Sequence, residues 1–355
     1  MRFIGNKENL VEKIYQIMQQ RGIKGDSFID LFAGTASVSK FFKKQGYQIQ
    51  SADLLYCSFV LQKAYIQNNE LPTFQKLISK LDITSNDLFA DPLTIVVQYL
   101  NHLPLKEGFI AQNYTPRGTA HLEIPRMYFS EENGLKIDTI RQQIEEWKNH
   151  QFINEQEYFI LLACLIETVP FYANIAGVYA AFHKKWDVRA VKKMELRSIE
   201  VIVNGHENHV FHANSIHLLK KLKTDILYLD PPYNQRQYAP NYHLLETIAL
   251  YDAPTIKGVS GMRPYEHQKS VFCNAQTALI ALKEIAEKID YQYLMLSYNS
   301  EGIMPQEKII KTLEAFGKVE LVEFDYLRFK SNSNGESKNK KFIKEQLYLL
   351  KKNEK

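Results

Sequence analysis

The stretch DILYLDPPYN, residues 225–234, decides the fold class of this chain. Its run Ile226 to Leu229 is apolar with β-branched and aromatic content, which predicts a buried strand, and Pro231 and Pro232 must end that strand. Asp230 is therefore expected at the strand's carboxyl-terminal edge. Ligands of open α/β sheets bind in the crevice outside these edges, so the carboxylate is placed for chemistry.

The same residues form a pattern suited to a flat polar molecule. The two prolines contribute no N–H donors, which leaves the Pro231 carbonyl as an acceptor beside the Asp230 carboxylate. Two acceptors can thus converge on one amino group, and the Tyr233 ring offers a face on which a base can stack. Asp-Pro-Pro also occurs in ordinary turns, so this alternative stays open for the motif alone.

A βα unit near the N-terminus predicts a nucleotide-binding turn. Residues 27–42 show a strand, a small-residue turn and a helix, and Gly34 lets the backbone approach a ligand at the helix N-terminus. A second strand, Tyr47 to Ala52, leads to Asp53, about 20 residues past the glycine turn, where an acidic residue suits a ribose diol.

The turn carries one glycine rather than G-x-G-x-x-G, which argues against a dinucleotide. A nucleoside without phosphates fits better. S-adenosylmethionine is such a ligand, with its ribose at Asp53 and its charged amino-acid portion at the turn and Asp30. An α/β turn that binds nothing is the alternative.

The chain divides by pattern into two regions. Leu54 to Asn208 shows amphipathic helices without strand–helix alternation, which predicts an inserted helical domain. Alternation returns near Val210, and the next helix is expected to contain Leu218, Leu219 and Leu222. Asn214 either reads an adenine edge or caps this helix. Val319 to Phe329 and Phe342 to Lys351 predict a hairpin at a sheet edge. We therefore expect a catalytic domain of residues 1–53 and 209–355, with an insertion of 54–208.

Composition sets broad limits on the class of protein. The 355 residues are 45% hydrophobic and 24% charged, as expected of a core-forming globular chain, and the net charge of +4 permits a nucleic-acid partner. Cys57, Cys164 and Cys273 are scattered, which predicts neither a metal site nor disulfides and favours a reducing cytoplasm. The apolar stretch from Tyr158 to Phe182 is interrupted by Glu167, so a buried helix followed by a loop is expected, with no membrane span.

The order of motifs resembles an alpha-class, Dam-like adenine-N6 DNA methyltransferase, in the restriction-modification branch that includes the FokI and NlaIII methylases. The segments that carry the resemblance are RFIGNK (2–7), DLFAGTA (30–36), the helical insertion, DPPY (230–233), NQRQY (234–238), NYHLLET (241–247) and LSYNSEG (296–302). The resemblance implies a Rossmann-like class I S-adenosylmethionine-dependent methyltransferase sheet, with the insertion recognising the target. One departure is Ala36, which stands where the F-x-G-x-G pattern has its second glycine, and we expect it to weaken cofactor binding at most.

The family's roles fall on matching positions of this sequence. Asp230 and the Pro231 carbonyl would accept the N–H bonds of adenine N6, with Pro232 shaping the turn and Tyr233 stacked on the extruded ring. The residues expected to bind S-adenosylmethionine are Lys7, Asp30, Phe32, Gly34, Asp53, Asn214 and Asp230. The residues expected to contact double-stranded DNA are Lys184, Lys185, Arg189, Arg236, Tyr238 and Asn241.

Further expectations from the resemblance are a functional pairing with a restriction endonuclease and action as a monomer. The basic segment His183 to Lys193 suits phosphate contact, although an ordinary solvated helix face has the same composition.

Four other functions compete with adenine-N6 methylation. Cytosine-N4 methylation typically goes with S-P-P-Y and protein-glutamine methylation with N-P-P-Y, so Asp230 disfavours both. A DNA-binding specificity protein that has lost catalysis has Ala36 as its one hint. An NAD-dependent oxidoreductase lacks its dinucleotide glycines here.

Overall fold

The computed structural model describes residues 5–81, 91–327 and 342–353. Its strands are β1 Ser27–Asp30, β2 Gln48–Asp53, β3 His209–His212, β4 Lys223–Leu229, β5 Asp290–Asn299, β6 Gly317–Leu327 and β7 Phe342–Lys352. Its α-helices are α1 Val11–Gln20, α2 Ser37–Lys44, α3 Tyr56–Gln62, α4 Gln75–Leu81, α5 Pro92–His102, α6 Phe109–Tyr114, α7 Glu131–Asn149, α8 Glu155–Thr168, α9 Ala239–Leu250, α10 Ala275–Lys288 and α11 Gln306–Glu314. Within these ranges no helix is both long and apolar enough to span a bilayer.

The strands form one seven-stranded sheet in the order β3-β2-β1-β4-β5-β7-β6, which confirms the predicted α/β class. Strands β1 to β5 pair in parallel, whereas β7 runs antiparallel to both β5 and β6. The predicted hairpin at the sheet edge is confirmed by the pairing of β6 with β7. The connecting segment 330–341 lies outside the described residues.

The direction of strand progression reverses between β1 and β4. The chain runs from β1 outward through β2 and β3, then returns to β4 on the other side of β1. Helices on opposite faces leave a crevice at such a switch point, beyond the carboxyl ends of the two central strands. Asp30 ends β1, and Asp230 directly follows β4. The topology therefore brings these two carboxyl groups to the same edge of the sheet.

Strand β4 is held rigid by burial on both faces. Ile226 to Leu229 is fully buried, as the apolar run predicted. On one face Leu227 and Leu229 join a cluster that includes Leu282 and Ile285 of α10. Burial of each such side chain stabilises the fold by about 1.5–3 kcal/mol, so the strand ends at a fixed position.

The chain forms two compact units. One is Lys63–Val203 with Pro240–Tyr265, and the other is Ile4–Gln62 with Asn204–Ala239 and Glu266–Lys355. The sheet lies entirely in the second unit, and the first is helical.

The segment Pro240–Tyr265, which we expected in the catalytic domain, belongs to the helical unit. Hydrogen bonds to helix α7 hold this segment in the helical unit. Buried Arg141 of α7 donates to the carbonyl oxygens of Ile248 and Ala249 at 3.1 and 3.4 Å. The Tyr251 hydroxyl donates to Asp138 of the same helix at 2.7 Å.

Two local predictions had different outcomes. A helix was expected around Leu218, Leu219 and Leu222, but the chain forms two 3₁₀ turns, Ser215–His217 and Leu219–Lys221. The predicted buried helix beginning near Tyr158 is confirmed by α8, which ends at Thr168 and continues into one 3₁₀ turn.

Asp225 carries a stability prediction, since it ties the start of β1 to β4. Its Oδ2 accepts from the Asp26 and Ser27 N–H groups at 2.9 and 3.0 Å and from the Ser27 hydroxyl at 2.8 Å. Asp225→Ala leaves these donors unpaired, and we expect the free energy of unfolding in urea to fall by about 2 kcal/mol. Asp290→Ala removes an exposed carboxylate paired with Lys223 and should change it by less than about 0.5 kcal/mol. Equal effects of the two variants would contradict the role assigned to Asp225.

Candidate active site

Asp230 stands immediately beyond the buried end of β4. Its neighbours Leu229 and Pro231 are buried, while its own side chain is 18% exposed. The carboxylate therefore faces the crevice rather than the core. Its Oδ1 lies 3.4 Å from the ammonium nitrogen of Lys7, which comes from the N-terminal motif.

Lys7 is buried between two carboxylates. Its Nζ donates to Glu345 Oε1 of β7 at 2.5 Å, closer than its contact with Asp230. The Ser297 hydroxyl of β5 donates to the same Glu345 oxygen at 2.6 Å. The N-terminal motif and strands β4, β5 and β7 thus meet in one ionic cluster. Burial opposes the Lys7 charge, but Asp230 and Glu345 outweigh it and raise the pKa of the ammonium.

Asp30 is a second carboxyl group of the site, and it is almost inaccessible, with 1% of its surface exposed. The Ser39 hydroxyl of α2 donates to its Oδ2 at 2.8 Å, and the Phe32 N–H donates to its Oδ1 at 3.3 Å. Burial, together with the negative charge of Asp53, raises the pKa of Asp30 to about 7 against these two hydrogen bonds.

The pKa of Asp230 is also raised to about 7. Burial is the largest cause, the ammonium of Lys7 opposes it, and the negative charges of Glu345 and Asp30 add to it. Two carboxyl groups, those of Asp230 and Glu345, therefore flank the ammonium of Lys7, and Asp30 adds a third acidic group near Asp230. This excess of negative charge makes the site sensitive to pH near neutrality and favourable for a cationic ligand.

Asp53 organises the turn after β1 from the end of β2. Its Oδ2 accepts from the Gly34 N–H at 2.8 Å, and its Oδ1 accepts from the Leu55 N–H at 2.9 Å. The carboxylate is half-exposed at the crevice edge of the sheet. Gly34 has φ of 51°, a left-handed conformation in which glycine carries little strain.

Ala36 takes the same left-handed conformation, with φ of 58° and ψ of 21°, and it is fully buried as the N-cap of α2. An alanine in this region costs roughly 1–2 kcal/mol. The residue that departs from the family's glycine pattern thus adopts the backbone geometry that favours glycine.

The aromatic candidates Phe32 and Tyr233 both lie in the sheet unit. Phe32 is half-buried and meets the Phe272 ring edge-on, with centroids 5.1 Å apart. Tyr233 is half-buried and packs against the core cluster, and its carbonyl accepts from the Ile303 N–H at 3.0 Å. Asn214 caps a 3₁₀ turn, since its side-chain oxygen accepts from the Ile216 N–H at 3.2 Å.

Two of the DNA-contact candidates lie in the sheet unit. Arg236 is exposed, and its N–H donates to the Asn234 side chain at 2.9 Å. Tyr238 is half-buried. Its hydroxyl lies beside Gly5 of the N-terminal motif, 3.4 Å from the position that a β-carbon on that glycine would take. Tyr238 therefore lies beside the N-terminal motif, whereas the Arg236 carbonyl accepts from the Cys273 thiol, with 3.4 Å between Sγ and O.

The other four DNA-contact candidates lie in the helical unit. Lys184 and Lys185 are exposed on an irregular segment rather than on a helix face. Arg189 is paired with Asp187, 2.7 Å from Nη2 to Oδ2, so part of its charge is neutralised within the protein. Asn241 is half-buried, and its carbonyl accepts from the Tyr179 N–H at 2.8 Å.

Four residues of the site were not predicted from the sequence: Asn6, Ser39, Ser297 and Glu345. The Asn6 side-chain oxygen accepts from the Ser37 hydroxyl at 2.7 Å and so links the N-terminal motif to α2. Glu345 did leave a signal, because it shares one face of β7 with the buried Leu347 and Leu349 at a spacing of two residues. An acidic residue in an inward-facing series indicates a buried partner.

The donor set suits a cationic nucleoside better than a metal ion. In the part of the chain that the structure describes, no group of three or more His, Cys, Asp or Glu side chains is placed to hold a metal. The region around the turn after β1 instead combines three features: the half-exposed Asp53 at the end of β2, the left-handed Gly34 and the aromatic ring of Phe32. These features fit a ribose diol, a close backbone approach and a purine or sulfonium group, respectively.

Comparison with known proteins gives one consistent family. A sequence model of the D12 class N6 adenine-specific DNA methyltransferases matches residues 3–312. The chain is 41% identical to the type II methyltransferase M.FokI of Planomicrobium okeanokoites, covering 95% of this chain and 51% of that protein. It is 37% identical to the modification methylase StsI of Streptococcus sanguinis, covering 99% and 52%. It is 38% identical to the type II methyltransferase M.NlaIII of Neisseria lactamica, covering 96% of each.

The chain thus spans about half the length of M.FokI and StsI but nearly all of M.NlaIII. The mixed sheet described above is consistent with the class I methyltransferase fold that the resemblance implied.

The buried carboxyl group of Asp30 gives a prediction that needs no ligand. Its pKa is raised from 3.8 to about 7 in the folded chain, so the folded state binds the proton more tightly than the unfolded state. The contribution of Asp30 to the free energy of unfolding is therefore lost as pH rises from about 4 through 7. The Asp30→Asn variant has no such contribution to lose. From about pH 5 to about pH 8, the variant should gain about 2 kcal/mol in free energy of unfolding relative to wild type.

The measurement is urea unfolding at both pH values, with Asp290→Asn as the exposed control. A difference between variant and wild type that does not change with pH would show that Asp30 titrates normally.

Proposed function

The chain belongs to the family of D12 class N6 adenine-specific DNA methyltransferases, and from this premise we propose that it methylates the N6 amine of an adenine flipped out of a specific short double-stranded DNA sequence. One observation carries the proposal. The Asp230 carboxylate and the Pro231 carbonyl follow a buried strand at the switch point, next to the buried carboxyl group of Asp30.

The role proposed for Asp230 and Pro231 follows from the chemistry of the amine. An exocyclic amine conjugated with a purine is a weak nucleophile, because its lone pair is delocalised into the ring. Two fixed acceptors that take its N–H bonds draw the nitrogen toward tetrahedral geometry and localise the lone pair. Pro231 and Pro232 keep these acceptors in place because their φ angles are fixed.

Tyr233 would receive the target base. An amine inside a duplex cannot reach the crevice, so the adenine must leave the stack at a cost of a few kcal/mol. A half-buried aromatic ring anchored to the core offers a preformed stacking surface that offsets part of this cost.

S-adenosylmethionine would supply the electrophilic methyl group. Its sulfonium and ammonium charges suit a site in which Asp30, Asp230 and Glu345 outnumber Lys7. Asp53 would accept from the ribose hydroxyls, and Gly34 would let the backbone approach the ligand. Lys7, Phe32 and Asn214 complete the set of residues proposed to line the binding site.

DNA binding would use positive and polar side chains, namely Lys184, Lys185, Arg189, Arg236, Tyr238 and Asn241. The exposed Lys184, Lys185 and Arg236 suit phosphate contact, which fixes position without reading sequence. Arg189 would have to exchange its bond to Asp187 for a phosphate. Residues 54–208 would include the side chains that read bases.

A restriction-modification role is proposed from the relatives, since M.FokI and M.NlaIII are named as type II methyltransferases. In this role the chain would act as a monomer on double-stranded DNA and protect it from a paired restriction endonuclease.

Asp230→Ala tests the reaction. Because the variant lacks one of the two proposed acceptors, methyl transfer should fall by at least roughly 100-fold. Single-molecule sequencing of DNA from cells expressing wild type or variant should show N6-methyladenine in one short motif with wild type only. Asp290→Ala is the control and should keep the marks. No marks with wild type would leave a DNA-binding protein without catalysis, whereas equal marks with Asp230→Ala would place the active site elsewhere.

Tyr233→Ala tests the stacked base. Loss of the ring should lower the single-turnover rate on duplex DNA by roughly 10–100-fold, while Tyr233→Phe keeps the stacking face and should stay close to wild type. A duplex with the target adenine opposite an abasic site needs less energy for flipping and should recover part of the rate. Equal rates for the alanine and phenylalanine variants would reject the stacking role.

A further inference from the structure

Lys7 divides its contacts unequally between two carboxylates. Its Nζ is 2.5 Å from Glu345 Oε1 but 3.4 Å from Asp230 Oδ1. The Glu345 oxygen is fixed in turn by the Ser297 hydroxyl at 2.6 Å, and Glu345 itself is buried in the pairing of β7 with β5. Glu345 therefore takes the close hydrogen bond, and Asp230 receives the longer ion pair.

We propose that Glu345 is a positioning residue, which holds the Lys7 ammonium back from Asp230 so that the Asp230 oxygens stay available to the N–H bonds of the target amine. This inference rests on the proposed function. An ammonium has three donors and readily takes every acceptor within reach. A lysine bonded closely to Asp230 would compete with the substrate amine for the same lone pairs, whereas one held at 3.4 Å supplies positive charge with less competition.

The surroundings of Asp230 determine the sign of the expected effect. The charged groups facing it are Lys7 from the N-terminal segment, Asp30 from β1 and Glu345 from β7. Neutralising Glu345 removes a negative charge that raises the pKa of Asp230 and releases Lys7 toward it. Both changes lower the pKa of Asp230. If the inference is right, Asp230 is ionised over a wider pH range in a Glu345→Gln variant. This variant nevertheless transfers the methyl group more slowly than wild type.

The experiment compares wild type and Glu345→Gln in single-turnover methyl transfer at saturating S-adenosylmethionine and DNA, from about pH 5.5 to about pH 8.5. We expect the plateau rate at high pH to fall about 10-fold, and the acid limb of the profile to move about one unit lower. Glu320→Gln is the matched control, because it removes an exposed strand carboxylate paired with Arg21, and it should keep both values. A fall in rate without movement of the acid limb indicates a structural role and overturns the proposal, as does movement to higher pH.

A double variant shows whether the effect acts through Lys7. Removing one member of a buried ion pair is often strongly destabilising, whereas replacing both is often tolerated, so Lys7→Gln with Glu345→Gln should fold even where Glu345→Gln does not. With the ammonium absent, Asp230 is a buried acid beside Asp30, and its acid limb should move above that of wild type. An acid limb below the wild-type value in the double variant would overturn the proposal.

A titration without substrate separates this inference from the proposed function. The carboxyl ¹³C resonance of Asp230, assigned with Asp230→Asn, should titrate at lower pH in Glu345→Gln than in wild type. If wild type methylates no DNA while this difference is present, the proposed function fails and the ionic coupling stands. If the resonance titrates identically in both proteins, Glu345 does not control Lys7 and the inference fails whatever the activity.

Discussion

The structure of the site depends on one buried ammonium. Lys7 has 8% of its side chain exposed and lies within 3.4 Å of carboxylates from two strands that are far apart in the sequence. A buried cation of this kind is stable only with such partners, and the partners need it equally. Charge therefore links the N-terminal motif to the end of β4 and to β7, beside the crevice at the switch point.

The two ends of β4 show how environment separates structural from reactive carboxyl groups. Asp225, near the amino end, accepts hydrogen bonds from the start of β1, and against burial these bonds lower the pKa of its carboxyl group. Asp230, past the carboxyl end, has other carboxylates as neighbours, and burial raises its pKa to about 7. The same residue type is thus a fixed anion at one end of the strand and a titratable group at the other.

The sequence predicted the central strands because their signals are local. The apolar run before Asp230 and the small-residue turn after β1 each specify their own structure within about ten residues, as buried strands and βα turns usually do. The bond of Lys7 to Glu345 joins residues 338 positions apart, and that of Ser297 to Glu345 joins residues 48 positions apart, so no local pattern encodes either contact.

The membership of Pro240–Tyr265 in the helical unit was missed for the same reason. It is fixed by Arg141 and Asp138, whose partners lie more than 100 residues further along the chain. The helix expected around Leu218 failed differently. Its three leucines are buried, but the chain follows 3₁₀ turns, so apolar spacing correctly predicted the burial and not the backbone.

Ala36 shows what the family's glycine pattern demands at this position. The backbone there needs a positive φ so that the chain can leave the turn and begin α2, and Ala36 adopts it at φ of 58° although alanine disfavours that region. The surrounding contacts impose the geometry: Asp53 holds the Gly34 N–H, the Ala36 N–H donates to the Ala33 carbonyl at 2.7 Å, and α2 packs on β1. An alanine that keeps the turn's conformation costs strain energy in the folded state. Its departure from the pattern therefore bears first on the stability of the turn, while the conformation that the proposed cofactor site requires is retained.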